Sequence, residues 1–333
     1  LFNAGAGADY GFAMAIQPDQ KIIAAGYIYQ GNNDDVTAAR FLPDGTLDTS
    51  YGTAGKTLTR VGTSAERAYG VAVQPDGKIV FGGYASISND DFMVMRQNAD
   101  GTPDTSFGNN GSATTTIGAS TDIGRALLLQ NDGRIVLAGY SSNGSNDDYA
   151  IARYNADGSL DGTFGTGGKV TTTATVGTDR LYAIAAYSGG RILVAGETRN
   201  AGNTSTDFGL ARYNANGTLD TSFGTSGLVT LTPASNSEYV YALQVLPDGK
   251  ILAAGEANSD AAIVRLNANG SYDPAFGSGG KTIVPVLAST DTIYGIALQP
   301  DGKILATGRT YNGTSYDIAV LRFLENGLLD SSF

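Results

Sequence analysis

The chain has 333 residues, 41% hydrophobic and 16% charged, enough apolar material for a folded core and too much for a disordered tail. Lys and Arg number 21 against 32 Asp and Glu, a formal net charge of −11 and a pI near 4.4, which argues against nucleic acid or an anionic membrane as partner and favours cations or basic groups. Cysteine, histidine and tryptophan are absent, which excludes disulfides, thiolate and imidazole metal sites, and every Ser/His/Asp or Cys/His catalytic device.

The predicted elements are strands, and they recur. No apolar run approaches ~18 residues, so no membrane insertion is expected, and no charged signal-peptide start is read at Leu1. The 46 glycines, with only nine prolines, suit short strands joined by tight turns. In the second copy, strand A covers residues 69–74, a Pro-Asp-Gly turn follows, strand B covers 78–84 and strand C covers 91–96. Strand D is short and Thr-rich, read best over residues 169–173. Proline presets φ and glycine accepts φ > 0, so the A–B turn reads as a hairpin. Its cation stands at Lys21, Lys78, Arg134, Arg191, Lys250 and Lys303, in steps of 57, 56, 57, 59 and 53. A second anchor ends strand C at Arg40, Arg96, Arg153, Arg212, Arg265 and Arg322, with Asp48, Asp104, Asp161, Asp220, Asp273 and Asp330 eight residues later.

Six copies of a four-stranded antiparallel meander predict an all-β, six-bladed β-propeller in a single domain spanning residues 1–333. The blades fall at residues 10–60, 67–117, 123–174, 180–232, 239–285, and 292–325 completed by 1–5, because the last copy stops before its strand D while the first begins on the end of one. Strand A is expected innermost and strand D at the rim. The Arg/Asp pair of each copy reads as a structural clamp on the face of the A–B turns, since a residue present in every copy builds the scaffold.

The repeat resembles the bacterial delta-60 family, also described as a β-propeller domain of unknown function. The stretch Asp148-Tyr149-Ala150-Ile151-Ala152-Arg153-Tyr154-Asn155-Ala156-Asp157-Gly158-Ser159-Leu160-Asp161-Gly162-Thr163-Phe164-Gly165 carries the resemblance, which spans essentially the whole chain. Departures are few: Gln20 replaces a turn glycine, Tyr51 replaces phenylalanine, and Tyr187-Ser188-Gly189-Gly190 lacks the Gln-Pro-Asp. The resemblance implies a propeller of secreted or cell-surface bacterial proteins, with no established chemistry.

Candidate functional residues lie on the opposite, top face. One acid precedes strand A in each copy (Asp9, Glu66, Asp122, Asp179, Glu238, Asp291) and another opens strand C (Asp35, Asp91, Asp148, Asp207, Asp260, Asp317). Twelve carboxylates on one face are a candidate set for Ca²⁺, a hard cation taking six to eight oxygens; the other reading has each acid accepting N–H bonds in its own turn. Next to the first set stand Phe12, Tyr69, Arg125, Tyr182, Tyr241 and Tyr294, and at the end of strand B stand Tyr27, Tyr84, Tyr140, Glu197, Glu256 and Arg309. The positions that differ between copies inform most, because a scaffold explains sameness and not difference. Glu197, Glu256, Arg309, Arg67, Arg125 and Arg180 are therefore expected to form a mixed polar pocket beside the tyrosines. The function read from this is a non-enzymatic binding module for a glycan or protein, with no catalytic residue assigned. Two alternatives stay open: a self-assembling subunit of an extracellular fibre or surface array, and a sialidase-like glycan-cleaving enzyme using clustered arginines, a tyrosine and a glutamate.

Overall fold

The computed structural model describes residues 8–31, 33–62, 64–199, 202, 204–287 and 289–333. Apart from a three-residue 3₁₀ turn at Ser188–Gly190, the described elements are strands. Blade 1 holds β1 (Asp9–Ile16), β2 (Ile22–Tyr29), β3 (Asp34–Phe41) and β4 (Lys56–Thr59). Blade 2 holds β5 (Glu66–Val73), β6 (Ile79–Ser86), β7 (Asp90–Gln97) and β8 (Ser112–Thr115), and blade 3 holds β9 (Asp122–Leu129), β10 (Ile135–Ser142), β11 (Asp147–Tyr154) and β12 (Lys169–Thr172). These three lie in a compact unit of residues 1–172.

The second unit, residues 173–333, holds the other three blades. Blade 4 is β13 (Asp179–Tyr187), β14 (Arg191–Arg199), β15 (Thr206–Tyr213) and β16 (Leu228–Leu231). Blade 5 is β17 (Glu238–Val245), β18 (Ile251–Ala257), β19 (Asp260–Leu266) and β20 (Lys281–Val284), and blade 6 is β21 (Asp291–Leu298), β22 (Ile304–Tyr311) and β23 (Tyr316–Phe323). Every sheet runs in sequence order with antiparallel neighbours, and the fold is the expected six-bladed β-propeller. The expected completion of blade 6 by residues 1–5 lies outside the described residues.

Within each unit the core sits between blades. Ile23, Ala25, Val36, Ala38 and Tyr51 of blade 1 meet Ile79, Phe81, Met93 and Met95 of blade 2, each at most 2% exposed. Phe92 and Val94 of β7 are likewise buried against blade 3, whereas their counterparts on β23, Ile318 and Val320, are 87% and 48% exposed.

The clamp forms in all six copies. Arginine Nε donates to aspartate Oδ2 at 2.7–2.8 Å in Arg40–Asp48, Arg96–Asp104, Arg153–Asp161, Arg212–Asp220, Arg265–Asp273 and Arg322–Asp330. The structure adds two partners beyond the sequence reading. The turn cation shares the same carboxylate oxygen, as in Lys78–Asp104 at 2.9 Å and Lys250–Asp273 at 3.0 Å. The guanidinium also reaches the next blade, where Arg40 donates to the Ala99 carbonyl, Arg96 to Ala156, Arg212 to Ala268 and Arg265 to Glu325. One side chain thus closes its own loop and fastens the following blade.

Candidate ligand-binding site

A β-bulge positions the central residue of the top face in every blade. The A–B register skips one residue on strand A, and the skipped residues are Phe12, Tyr69, Arg125, Tyr182, Tyr241 and Tyr294. A bulge re-aims a side chain and sharpens the local twist, and here it sets the direction of these six side chains. Opposite each bulge stands a glycine of strand B: Gly26, Gly83, Gly139, Gly196, Gly255 or Gly308. A Cβ there would lie 1.8–1.9 Å from a carbonyl oxygen of strand A.

In residues 1–172 the top face is a cationic aromatic ladder. Tyr27 stacks on Tyr10 and Phe12 at 4.9 and 5.5 Å between centroids, and Phe12 meets Tyr69 edge-on at 4.9 Å. The Arg67 guanidinium lies 4.5 Å from the Tyr27 ring and is ion-paired to Asp34 at 2.6 Å; its other flank faces Tyr84 at 5.8 Å. Arg125 lies 4.3 Å from Tyr69 and 5.9 Å from Tyr140.

Residues 173–333 present acids beside tyrosines. Tyr182, Tyr241 and Tyr294, from successive blades, form a row with centroids 5.4 and 5.1 Å apart. Glu197, fully buried, accepts the Tyr182 hydroxyl at 2.8 Å and faces Arg199 at 3.4 Å and Arg180 at 3.7 Å. Burial, and after it the Glu197 charge, pushes the Tyr182 phenol well above its usual range, so it stays a donor. Glu256 accepts the Thr292 hydroxyl at 2.9 Å; burial raises its pKa, which Thr292 and Arg309 oppose. The expected polar pocket is thus realised as two groups: Arg67 and Arg125 with tyrosines in one unit, and Arg180, Glu197, Glu256 and Arg309 in the other. The sequence reading missed Arg199 and Thr292. Arg199 was legible, because two residues after Glu197 on one strand puts both on one face; Thr292 reaches Glu256 from the next blade and left no sequence signal.

Among the described residues no group of three or more His, Cys, Asp or Glu could hold a metal ion. The reason is local bonding. Asp122 accepts the Ile117 and Gly118 N–H groups at 2.7 and 3.1 Å, Asp179 those of Ala174 and Thr175, Asp291 those of Val286 and Leu287, and Glu66 that of Gly62. Asp9 stands at the corresponding start of β1. In the second set Asp35 pairs with Arg60 at 2.8 Å, Asp148 and Asp317 accept Asn143 and Asn312, and Asp207 accepts Thr232.

The two sets do meet in pairs across blade junctions, each acid raising its partner: Asp35 acts on Glu66, Asp122 on Asp91, Asp207 on Glu238 and Asp291 on Asp260. Burial is the larger cause throughout, and it carries Glu238 to about 7 although its carboxylate accepts the Ala234 N–H. A folded-state pKa above the unfolded value near 4.5 gives stability that is full below pH 4.5 and lost as pH rises through 7. Urea denaturation at pH 5 and pH 8 is therefore expected to show a loss, on the order of 2–3 kcal/mol from this group, that Glu238→Gln removes. An equal loss in wild type and variant would refute it.

A cleft of about 530 Å³ between blades 4 and 5, at the A–B turn end, is lined by Tyr187, Ser188, Arg191, Arg212 and Asp248. Arg191 and Arg212 both lie over the Tyr187 ring there, and both hold Asp220, so this departure from the repeat extends the clamp.

Comparison with known proteins agrees with this architecture. A family model described as a domain of unknown function (DUF5122) beta-propeller matches residues 17–51, 74–107, 130–164, 190–223, 246–276 and 299–333; the narrower delta-60 designation is not part of that match. No curated protein matches the chain. Among solved structures, a protein of unknown function from Bacteroides caccae is 15% identical with a TM-score of 0.51, covering 92% of this chain and 94% of that one. A protein from Lactobacillus plantarum is 15% identical with a TM-score of 0.54, covering 98% and 86%. The α-L-arabinofuranosidase arb93a from Fusarium graminearum is 9% identical with a TM-score of 0.52, covering 93% and 92%. At these identities the likeness is one of fold alone.

Proposed function

The chain belongs to the DUF5122 β-propeller family, whose function is unknown, and we propose that it is a non-catalytic glycan-binding module with its ligand on the tyrosine row of residues 173–333. The observation that carries this reading is the row itself: Tyr182, Tyr241 and Tyr294 in ring-to-ring succession, flanked by the carboxylates of Glu197 and Glu256. Sugars offer C–H faces to aromatic rings and hydroxyls to fixed acceptors, and here the rings and the partly exposed Glu256 carboxylate supply both. Glu197 is fully buried and tied to Tyr182, Arg199 and Arg180, an arrangement that supports a residue holding the Tyr182 ring in place rather than a catalytic acid.

Tyr241, half-buried between its neighbours, is the pivot. In affinity electrophoresis through gels containing xylan, a mixed-linkage β-glucan or polygalacturonate, the protein is expected to be retarded by at least one polymer. Tyr241→Ala is expected to weaken that retardation at least tenfold with an unchanged melting temperature, about 1.4 kcal/mol of binding. Migration unaffected by all three polymers would remove the glycan reading.

A further inference from the structure

Arg309 breaks the pattern of its position. The corresponding end of strand B carries Tyr27, Tyr84, Tyr140, Glu197 and Glu256 in the other five blades, and only blade 6 places a cation there. Within residues 173–333 the other arginines beside the tyrosine row, Arg180 and Arg199, both face Glu197. Arg309 is held differently. Its guanidinium lies 4.1 Å from the Tyr316 ring centroid and 5.5 Å from that of Tyr294. Among the described residues its side chain makes no hydrogen bond or ion pair, and its buried Nε has no acceptor. Glu256, whose carboxylate feels the Arg309 charge, directs that carboxylate to the Thr292 hydroxyl instead.

A guanidinium fixed by ring faces keeps its plane oriented and its edge N–H groups unused. That edge is a planar fork of donors matching a carboxylate in two parallel hydrogen bonds. We infer that Arg309 is the recognition point for a carboxylate-bearing sugar, so that the glycan on the tyrosine row contains uronic acid. This inference rests on the glycan reading above and specifies its ligand. Tyr294 links the two, because its ring belongs to the row and also lies under the Arg309 guanidinium. The net charge of −11 works against loose attraction of a polyanion, so a preference for the acid form has to come from a local group.

The test is calorimetric titration with tetragalacturonate and with its fully methyl-esterified form, which has the same sugar ring without the charge. Wild-type protein is expected to bind the acid at least tenfold more tightly than the ester. Arg309→Gln should bring the acid down to the ester's affinity while leaving the ester unchanged. Arg309→Lys, which keeps the charge and loses the fork, should fall between them, and thermal melts of both variants verify folding. Equal binding of acid and ester, or a preference that survives Arg309→Gln, overturns the inference and leaves the glycan reading standing. If neither tetrasaccharide binds while xylan or β-glucan still retards the protein, only the inference falls; if nothing binds, both fall.

Discussion

Replacing Gly83 by alanine is expected to destabilise the protein by more than about 4 kcal/mol, the range reached only when a substitution collides with structure that cannot yield. The added Cβ would sit 1.8 Å from the Arg67 carbonyl oxygen, 2.9 Å from its carbon and 3.0 Å from Ala68 Cα, all backbone atoms. Relief requires straightening the bulge at Tyr69, which would re-aim that ring and withdraw it from Phe12 and Arg125. Gly11→Ala is the matched control. It lies on the same kind of strand, but among the described residues nothing stands within 4 Å of its added Cβ, so its effect should stay within about 0.5 kcal/mol. Guanidinium denaturation followed by tyrosine fluorescence measures both. A Gly83→Ala protein as stable as the Gly11→Ala protein would show that the close approach is not rigid.

The clamp should give the next largest effect. Arg96→Ala is expected to lower stability by about 3 kcal/mol, the lower end of what breaking a buried ion pair does, because Lys78 remains beside Asp104. Four contacts disappear together: the bond to Asp104, the bond to the Ala156 carbonyl of the next blade, the longer bond to Gln74 Oε1 at 3.4 Å, and the packing over Phe107 at 4.6 Å. Lys78→Ala, at the partly exposed end of the same cluster, should lower stability by less than about 1 kcal/mol. Burial alone would raise the Asp104 carboxyl, but hydrogen bonds from Lys78, Ser106 and Arg96 hold it well below the usual carboxylate range. Its contribution is therefore present above pH 4 and lost as pH falls further, so the acid limb of the stability profile should be shallower in Arg96→Ala. The same denaturation series at pH 3 and pH 7 checks both statements, and equal effects of the arginine and lysine substitutions would rule out the inter-blade role.

The sequence by itself determined the architecture. Six turn cations at steps of 53 to 59 residues, each followed by the Arg and Asp of the next turn, set the blade count and the loop that each clamp closes. These features are local: a Pro-Asp-Gly turn and an arginine eight residues from its aspartate report on one hairpin at a time, and a repeat multiplies the signal by six. It also marked Glu197, Glu256 and Arg309 as positions of interest, since variation against a fixed frame is visible in one chain, and set Tyr182, Tyr241 and Tyr294 at one shared aromatic position.

Only the tertiary structure decided what those residues touch. Of the acids read as a candidate cation surface, Glu66, Asp122, Asp179, Glu238 and Asp291 accept N–H groups of the loops before their own strands, whose donors stand four or five residues away. The bulge was not legible, since one skipped residue leaves the apolar alternation on either side intact. The next-blade carbonyl that four of the clamps reach, and the arginine-tyrosine ladder in residues 1–172 and acid-tyrosine row in residues 173–333, depend on contacts between blades some 36 to 60 residues apart. Side chains brought together at that distance in sequence are set by how blade packs on blade, which strand periodicity does not encode.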